Sequence, residues 1–119
     1  MEQRELPEGS EHSRWQAASV LLVDDEPGML SFMQRALGRH CERVDTAGSV
    51  EAAIPLQRRQ LYDLIILDIA LPGRSGLDWL AELKADHFAG DVILITAYAD
   101  LDTAINALRA GAADFLLKP

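Results

Sequence analysis

The sequence predicts an α/β fold built on a parallel sheet covered on both faces, and three observations predict it. Short runs of unbroken apolar residues recur at 20–23, 64–67, 92–95 and 115–117. Strands buried on both faces read this way, whereas half-exposed strands alternate. The stretches between these runs carry apolar residues at helical spacing. Each run also hands a polar group to a loop: Asp24-Asp25-Glu26, Asp68, Thr96 and Lys118. In open α/β sheets chemistry is sited at the carboxyl ends of the strands, so the third observation also says where to look.

Residues 1–18 are polar and aperiodic and read as a flexible leader outside the core. The first strand, 20–23, is followed by Pro27, which suits a first helical turn. Met29, Leu30, Met33 and Leu37 then recur as a helical stripe that Phe32 and Ala36 widen, and Gly38 ends it. Residues 43–47 form a weaker, more polar strand, as expected of a sheet edge. Ser49 can cap a helix running to about Gln60, with Val50, Ala53, Ile54 and Leu61 inward. Pro55 inside it is expected to kink or split the helix, at about 3 kcal/mol in an unadapted interior.

Tyr62-Asp63 leads into the third strand and Asp68. Ser75 or Gly76 starts the next helix, with Leu77, Leu80 and Leu83 inward and Trp79 flanking them. Gly90 and Asp91 precede the fourth strand. Asp100 or Asp102 can cap a helix whose inward face is Leu101, Ala104, Ile105 and Leu108, with Gly111 as its left-handed stop. The last strand, 114–117, ends at Lys118-Pro119. Short right-handed βαβ crossovers and a polar second strand at the edge give the flavodoxin-like, doubly wound order 2-1-3-4-5. A sheet of this type wants a helix after its last strand. Residues 19–119 are therefore expected to be one domain cut short of its last helix.

The bulk composition excludes several function classes. A chain of 119 residues that is 49% hydrophobic can bury one domain's core. A net charge of −8 argues against a nucleic-acid grip in this piece, because phosphate backbones are held by basic patches. The single Cys41 permits no internal disulfide and fits a reducing compartment. No apolar stretch approaches the ~20 residues that span a bilayer, and no signal pattern opens the chain, so a cytoplasmic location without membrane partners is expected. His40 and His87 lack ligand spacing. The absence of a Gly-x-Gly-x-x-Gly run or P-loop removes dinucleotide and nucleoside triphosphate binding.

The strand-end residues themselves make a coherent site. Asp24 and Asp25 end the first strand, and Asp68 ends its neighbour. Carboxylates so placed repel one another unless a cation lies between them. Hard oxygen ligands with room for water suit Mg²⁺, or Mn²⁺ in its place. Thr96 and Lys118 can bind the oxygens of a phosphoryl group, and a carboxylate nucleophile forming an aspartyl-phosphate is an established covalent route. Acids at strand ends also serve as turn formers or helix caps, which is the plain alternative for Asp24 or Glu26.

The runs Val20-Leu21-Leu22-Val23-Asp24-Asp25-Glu26, Leu67-Asp68-Ile69-Ala70-Leu71-Pro72-Gly73, Ile95-Thr96-Ala97-Tyr98 and Phe115-Leu116-Leu117-Lys118-Pro119 together resemble the receiver domain of two-component response regulators. The resemblance covers everything but the leader. It implies that Asp68 accepts a phosphoryl group from a sensor histidine kinase. It implies that Asp25, Asp68 and the Ala70 backbone carbonyl ligate Mg²⁺, with Asp24 acting largely through water. Thr96 and Lys118 would grip the phosphoryl oxygens, and Phe115 would be the switch aromatic that turns inward. Ala70 and Tyr98 occupy positions that modulate hydrolysis, and their side chains imply slow self-dephosphorylation rather than turnover.

The run from Thr96 to Ala104, with 109–115, looks particularly like NtrC-type receivers, which front sigma-54-dependent activators carrying an AAA+ ATPase and a DNA-binding domain. Homodimerisation on phosphorylation, through the fourth helix and fifth strand, is the expected output. Two rivals are a Mg²⁺-dependent phosphohydrolase and a stand-alone or degenerate receiver used only for docking. The first usually needs an acid where Ala70 stands; the second is at odds with the intact acids, Thr96 and Lys118.

Overall fold

The computed structural model describes residues 17–97 and 101–118. Within them strands and helices alternate: β1 (Ser19–Val23), α1 (Pro27–Gly38), β2 (Arg43–Ala47), α2 (Val50–Arg59), β3 (Leu64–Asp68), α3 (Gly76–Ala85), β4 (Asp91–Thr96), α4 (Leu101–Arg109) and β5 (Asp114–Leu117). All neighbouring strands pair in parallel, in the expected order β2-β1-β3-β4-β5. The polar β2 lies at an edge, as its composition requires.

Successive strand residues point to opposite faces, and this splits the core in two. Leu21, Val23, Ile65, Leu67, Val92 and Leu94 join Val50 and Ala53 of α2, Trp79, Leu80 and Leu83 of α3, and Ala107 of α4. Val20, Leu22 and Leu64 face the other way, against Leu30, Met33 and Leu37 of α1. Cys41 packs half-buried against this second layer, where loss of water pushes its thiol pKa up.

A polar tie holds the β2 edge. The Tyr62 hydroxyl donates to Asp45 Oδ2 at 2.5 Å, and Arg43 Nε donates to the same oxygen at 2.8 Å. Burial, then the Asp45 charge, moves the Tyr62 pKa up to about 12. Burial pushes Asp45 upward, but the bonds from Tyr62 and Arg43 outweigh it and hold the carboxyl below its ordinary range.

Several expectations are corrected. Phe32 and Ala36 are exposed, so α1 packs through Leu30, Met33 and Leu37 without the wider stripe. Helix α2 is not split at Pro55. That proline lies exposed, where the Glu51 carbonyl it leaves without a helical donor can bond water. The helix stops at Arg59 because Gln60 turns to extended backbone, and Leu61 is consequently 94% exposed instead of inward. Trp79 does not flank α3's buried side but belongs to it, and Leu77 is half-buried.

In α4 Ala107 is buried in the core, Ala110 packs against it and Ala104 is half-buried, while Leu101, Ile105 and Leu108 are exposed. The packed domain also begins earlier than residue 19. Ala18 is buried and its carbonyl accepts the Glu42 and Arg43 N–H groups. The expected leader up to residue 16 lies outside the described residues.

Candidate functional site

The register pairs Val23 of β1 with Leu67 of β3, so Asp24 and Asp68 leave the sheet side by side. Both are buried. Each is fixed by the same local device. Asp24 Oδ1 accepts the Glu26 N–H at 2.9 Å, and Asp68 Oδ1 accepts the Ala70 N–H at 3.0 Å. Aspartate commonly turns the chain this way, its side-chain oxygen standing in for a backbone carbonyl. One oxygen of each acid is thereby spent on the turn, and the other is left for a partner.

That partner is Lys118. Its backbone N–H bonds the Thr96 carbonyl at 2.8 Å, which continues the β4–β5 pairing past the strand end. From there β3 lies two strand spacings away, about 10 Å. Lysine's long stem and the Asp68 side chain close that gap from its two sides. Nζ lies 3.0 Å from Asp68 Oδ2, 2.8 Å from Asp24 Oδ2 and 2.8 Å from Glu26 Oε1. Burial pulls the ammonium's pKa down, but the adjoining carboxylates of Asp24, Glu26 and Asp68 outweigh it and hold Lys118 above the ordinary lysine range. The amine stays charged.

Asp25 is exposed at the mouth. With Asp24 and Asp68 it offers carboxylate oxygens that all lie within 4.8 Å of one another. Asp24 Oδ2 is buried and touches Lys118 as an ion pair without the alignment of a hydrogen bond, and among the described residues no other donor reaches it. Closely packed anionic oxygens with an under-satisfied buried member are the donor set a hard divalent cation needs. These residues fit one.

The loop after Asp68 is held from two sides. Ile69 N–H bonds the Ile95 carbonyl at 3.0 Å, beside Thr96 at the end of β4. Gly76 opens α3 against the Asp68 backbone: a Cβ there would stand 2.4 Å from the Asp68 carbonyl oxygen. Ser75 Oγ caps that helix, accepting the Leu77 N–H at 3.0 Å. Thr96 is buried at the strand end. Phe115 is half-buried against the main core, and Ala70 exposes only a methyl group. Tyr98 lies outside the described residues. A groove of about 560 Å³, lined by Glu26, Gly28, Met29, Phe32, Ala97 and Lys118, opens at the lysine.

The sequence therefore located Asp24, Asp25, Asp68 and Lys118 in one cluster, with Thr96 on the strand beside them. It also groups Glu26 with Asp24 and Asp25 at the strand end, but it misses the bond from Glu26 to Lys118. An acid at a helix start reads as a cap, yet Glu26 makes no side-chain cap and bonds Lys118 instead. Its adjacency to Asp24-Asp25 was the available signal.

Fold and site together define a signalling domain of the receiver type. The chain belongs to the response regulator receiver domain family, whose model matches residues 20–119. It is 44% identical over 100 residues to the response regulator protein PilR of Pseudomonas aeruginosa, an overlap of 84% of this chain and 22% of PilR. Among solved structures it is similar to the beryllofluoride-activated NtrC4 receiver domain dimer, with a TM-score of 0.79 at 32% identity over 85% of this chain and 84% of that one. This agrees with the NtrC-type likeness of the sequence.

It is also similar to a response regulator protein from Burkholderia pseudomallei with a phosphorylated aspartic acid, calcium ion and citrate. There the TM-score is 0.79 at 28% identity, over 86% of this chain and 60% of that one. The chain spans about a fifth of the length of PilR and of other curated relatives of that size. Among the described residues no helix is long and apolar enough to cross a membrane.

Proposed function

We propose that Asp68 is the phospho-acceptor of a two-component system, charged by a sensor histidine kinase in the cytoplasm. The observation that carries this reading is the Lys118 ammonium, 3.0 Å from Asp68 Oδ2 inside a buried acid cluster. A carboxylate oxygen of Asp68 attacks phosphorus, the bond from phosphorus to the donor's imidazole nitrogen breaks, and that nitrogen keeps the electron pair. Lys118 and the Thr96 hydroxyl take the phosphoryl oxygens. Bound among Asp24, Asp25, Asp68 and the Ala70 carbonyl, Mg²⁺ or Mn²⁺ would supply the charge neutralisation that such transfer requires. Positioning and charge stabilisation do most of the work in phosphoryl transfer, and this site is built of both.

The domain then holds a signal instead of turning over substrate. A phosphohydrolase wants a proton donor two residues after its nucleophile, and Ala70 offers only a methyl. Ala70, with Tyr98, makes self-hydrolysis slow. Drawing Thr96 toward the phosphoryl group opens space for Phe115 to turn in, and the surface of α4 and β5 changes with it. That surface exposes Leu101, Leu108, Leu116 and Leu117, which suits a partner-binding face. The partners are a second copy of the domain and, from the NtrC-type likeness, an AAA+ ATPase and a DNA-binding domain that control transcription. The acidic receiver itself makes no nucleic-acid contact.

The test is incubation with acetyl phosphate and Mg²⁺ followed by intact mass. Wild type gains one phosphoryl group that persists well beyond seconds after donor removal, and Asp68→Asn gains none. Equal labelling of the Asn variant would sink the assignment.

A further inference from the structure

Lys118 has three N–H donors, and three carboxylates crowd them. Two of the donors go to Glu26 and Asp68 and Asp24 Oδ2 presses on the ammonium at 2.8 Å, so a phosphoryl oxygen finds room beside it only when one of the three carboxylates moves away. They are not equally able to do so. Asp24 and Asp68 are buried, and each is pinned by a turn through its other oxygen. Glu26 differs on every count. Its side chain is 63% exposed and caps no helix, and it borders the groove through which a phosphodonor would approach Lys118. Water can replace its contact at little cost.

We propose that Glu26 is a displaceable latch on Lys118: it occupies the amine in the resting domain and is the partner surrendered when a phosphoryl group arrives. The bridge stabilises the resting state selectively, so it slows phosphoryl acceptance and weakens binding of any phosphoryl mimic. This rests on the reading of Asp68 as acceptor. Glu26 acts through Lys118 and is a positioning residue, since nothing requires it to touch the transferred group.

Three variants separate the bridge from the charge. Glu26→Asp keeps the charge but is one methylene too short to span the 2.8 Å contact to Nζ. Glu26→Ala removes both, and Glu26→Gln keeps an acceptor without charge. Two quantities are read at saturating Mg²⁺: the rate constant for labelling by acetyl phosphate, and the affinity for beryllofluoride from amide chemical shifts. Glu26→Asp and Glu26→Ala should each label about two- to fivefold faster than wild type, the scale of one exposed ion pair, and bind beryllofluoride more tightly by a similar factor. Glu26→Gln should fall between.

Glu26→Asp behaving as wild type while Glu26→Ala and Glu26→Gln gain would show plain repulsion of an anionic donor and overturn the latch. No gain in any variant overturns it too. A wild-type chain that takes no label at all refutes the acceptor reading, and this inference goes with it.

Discussion

Replacing Lys118 with Met should make the fold depend on a divalent cation. Met keeps most of the stem and removes the charge. Asp24 and Asp68, which are 0% and 2% exposed, then lose the ammonium that reaches them. Stripping one partner from a buried ion pair costs about 3–5 kcal/mol, because the charge left behind has been taken out of water. Glu26 adds nothing to that cost, since its carboxylate is solvated already. At about 4 °C per kcal/mol for a domain near 100 residues, the melting temperature should fall by about 12–20 °C in EDTA at neutral pH.

A cation that binds among the three acids of the folded state recovers part of this. At a hundredfold excess over its Kd it returns about 2.7 kcal/mol, or about 10 °C. Circular dichroism melts of wild type and Lys118→Met, in EDTA and across a Mg²⁺ titration, measure both quantities. A variant melting within about 3 °C of wild type in EDTA would show that the buried acids do not rely on the lysine, and the electrostatic account of the site would fail.

Tyr62→Phe deletes the hydroxyl that donates to Asp45 Oδ2 at 2.5 Å, and should lower stability by about 1.5–3 kcal/mol in urea titrations at pH 7. Because the folded Tyr62 pKa is raised to about 12, its contribution is whole below the ordinary tyrosine value of about 10 and is lost as pH climbs between the two; Asp45, held low, contributes above about pH 4 and is lost below it. The gap between wild type and Tyr62→Phe should therefore close at both extremes, and a gap independent of pH would contradict the bond. Gly76→Ala sets a methyl 2.4 Å from the Asp68 carbonyl, so it should cost about 1–3 kcal/mol and slow labelling, whereas Gly28→Ala, with open space around its Cβ, should be neutral or stabilising. Equal stability of the two variants would refute the close approach.

The legible parts of this molecule are those where one residue type has one physical use. Unbroken apolar runs had to be strands of a two-faced sheet, and a polar residue closing such a run had to emerge at its carboxyl end. Asp24, Asp68, Thr96 and Lys118 followed directly. The errors arise where a pattern admits two uses. The Leu101, Ile105 and Leu108 stripe shows that α4 is amphipathic in composition, but Ala107 and Ala110 pack in the core and the leucines are exposed. Periodicity also carried Leu61 into α2, although the backbone had already turned at Gln60. Glu26 was hidden because its partner is 92 residues away, and local grammar offers a nearer role as a cap.

The site has an inner half and an outer half, and the division follows from burial. Asp24, Asp68 and the Lys118 ammonium lie inside, where charge interactions are strong and breaking one is costly. Asp25 and Glu26 stand at the mouth, where water screens them and exchange is cheap. Four carboxylates against one ammonium leave three negative charges uncompensated, and a divalent cation leaves one. On the proposed reading an incoming phosphoryl group brings more negative charge, and Lys118 turns a donor toward it. The inner acids cannot release that donor without exposing a buried charge. On that reading the exchange takes place at Glu26, and the Asp68–Lys118 pair stays intact.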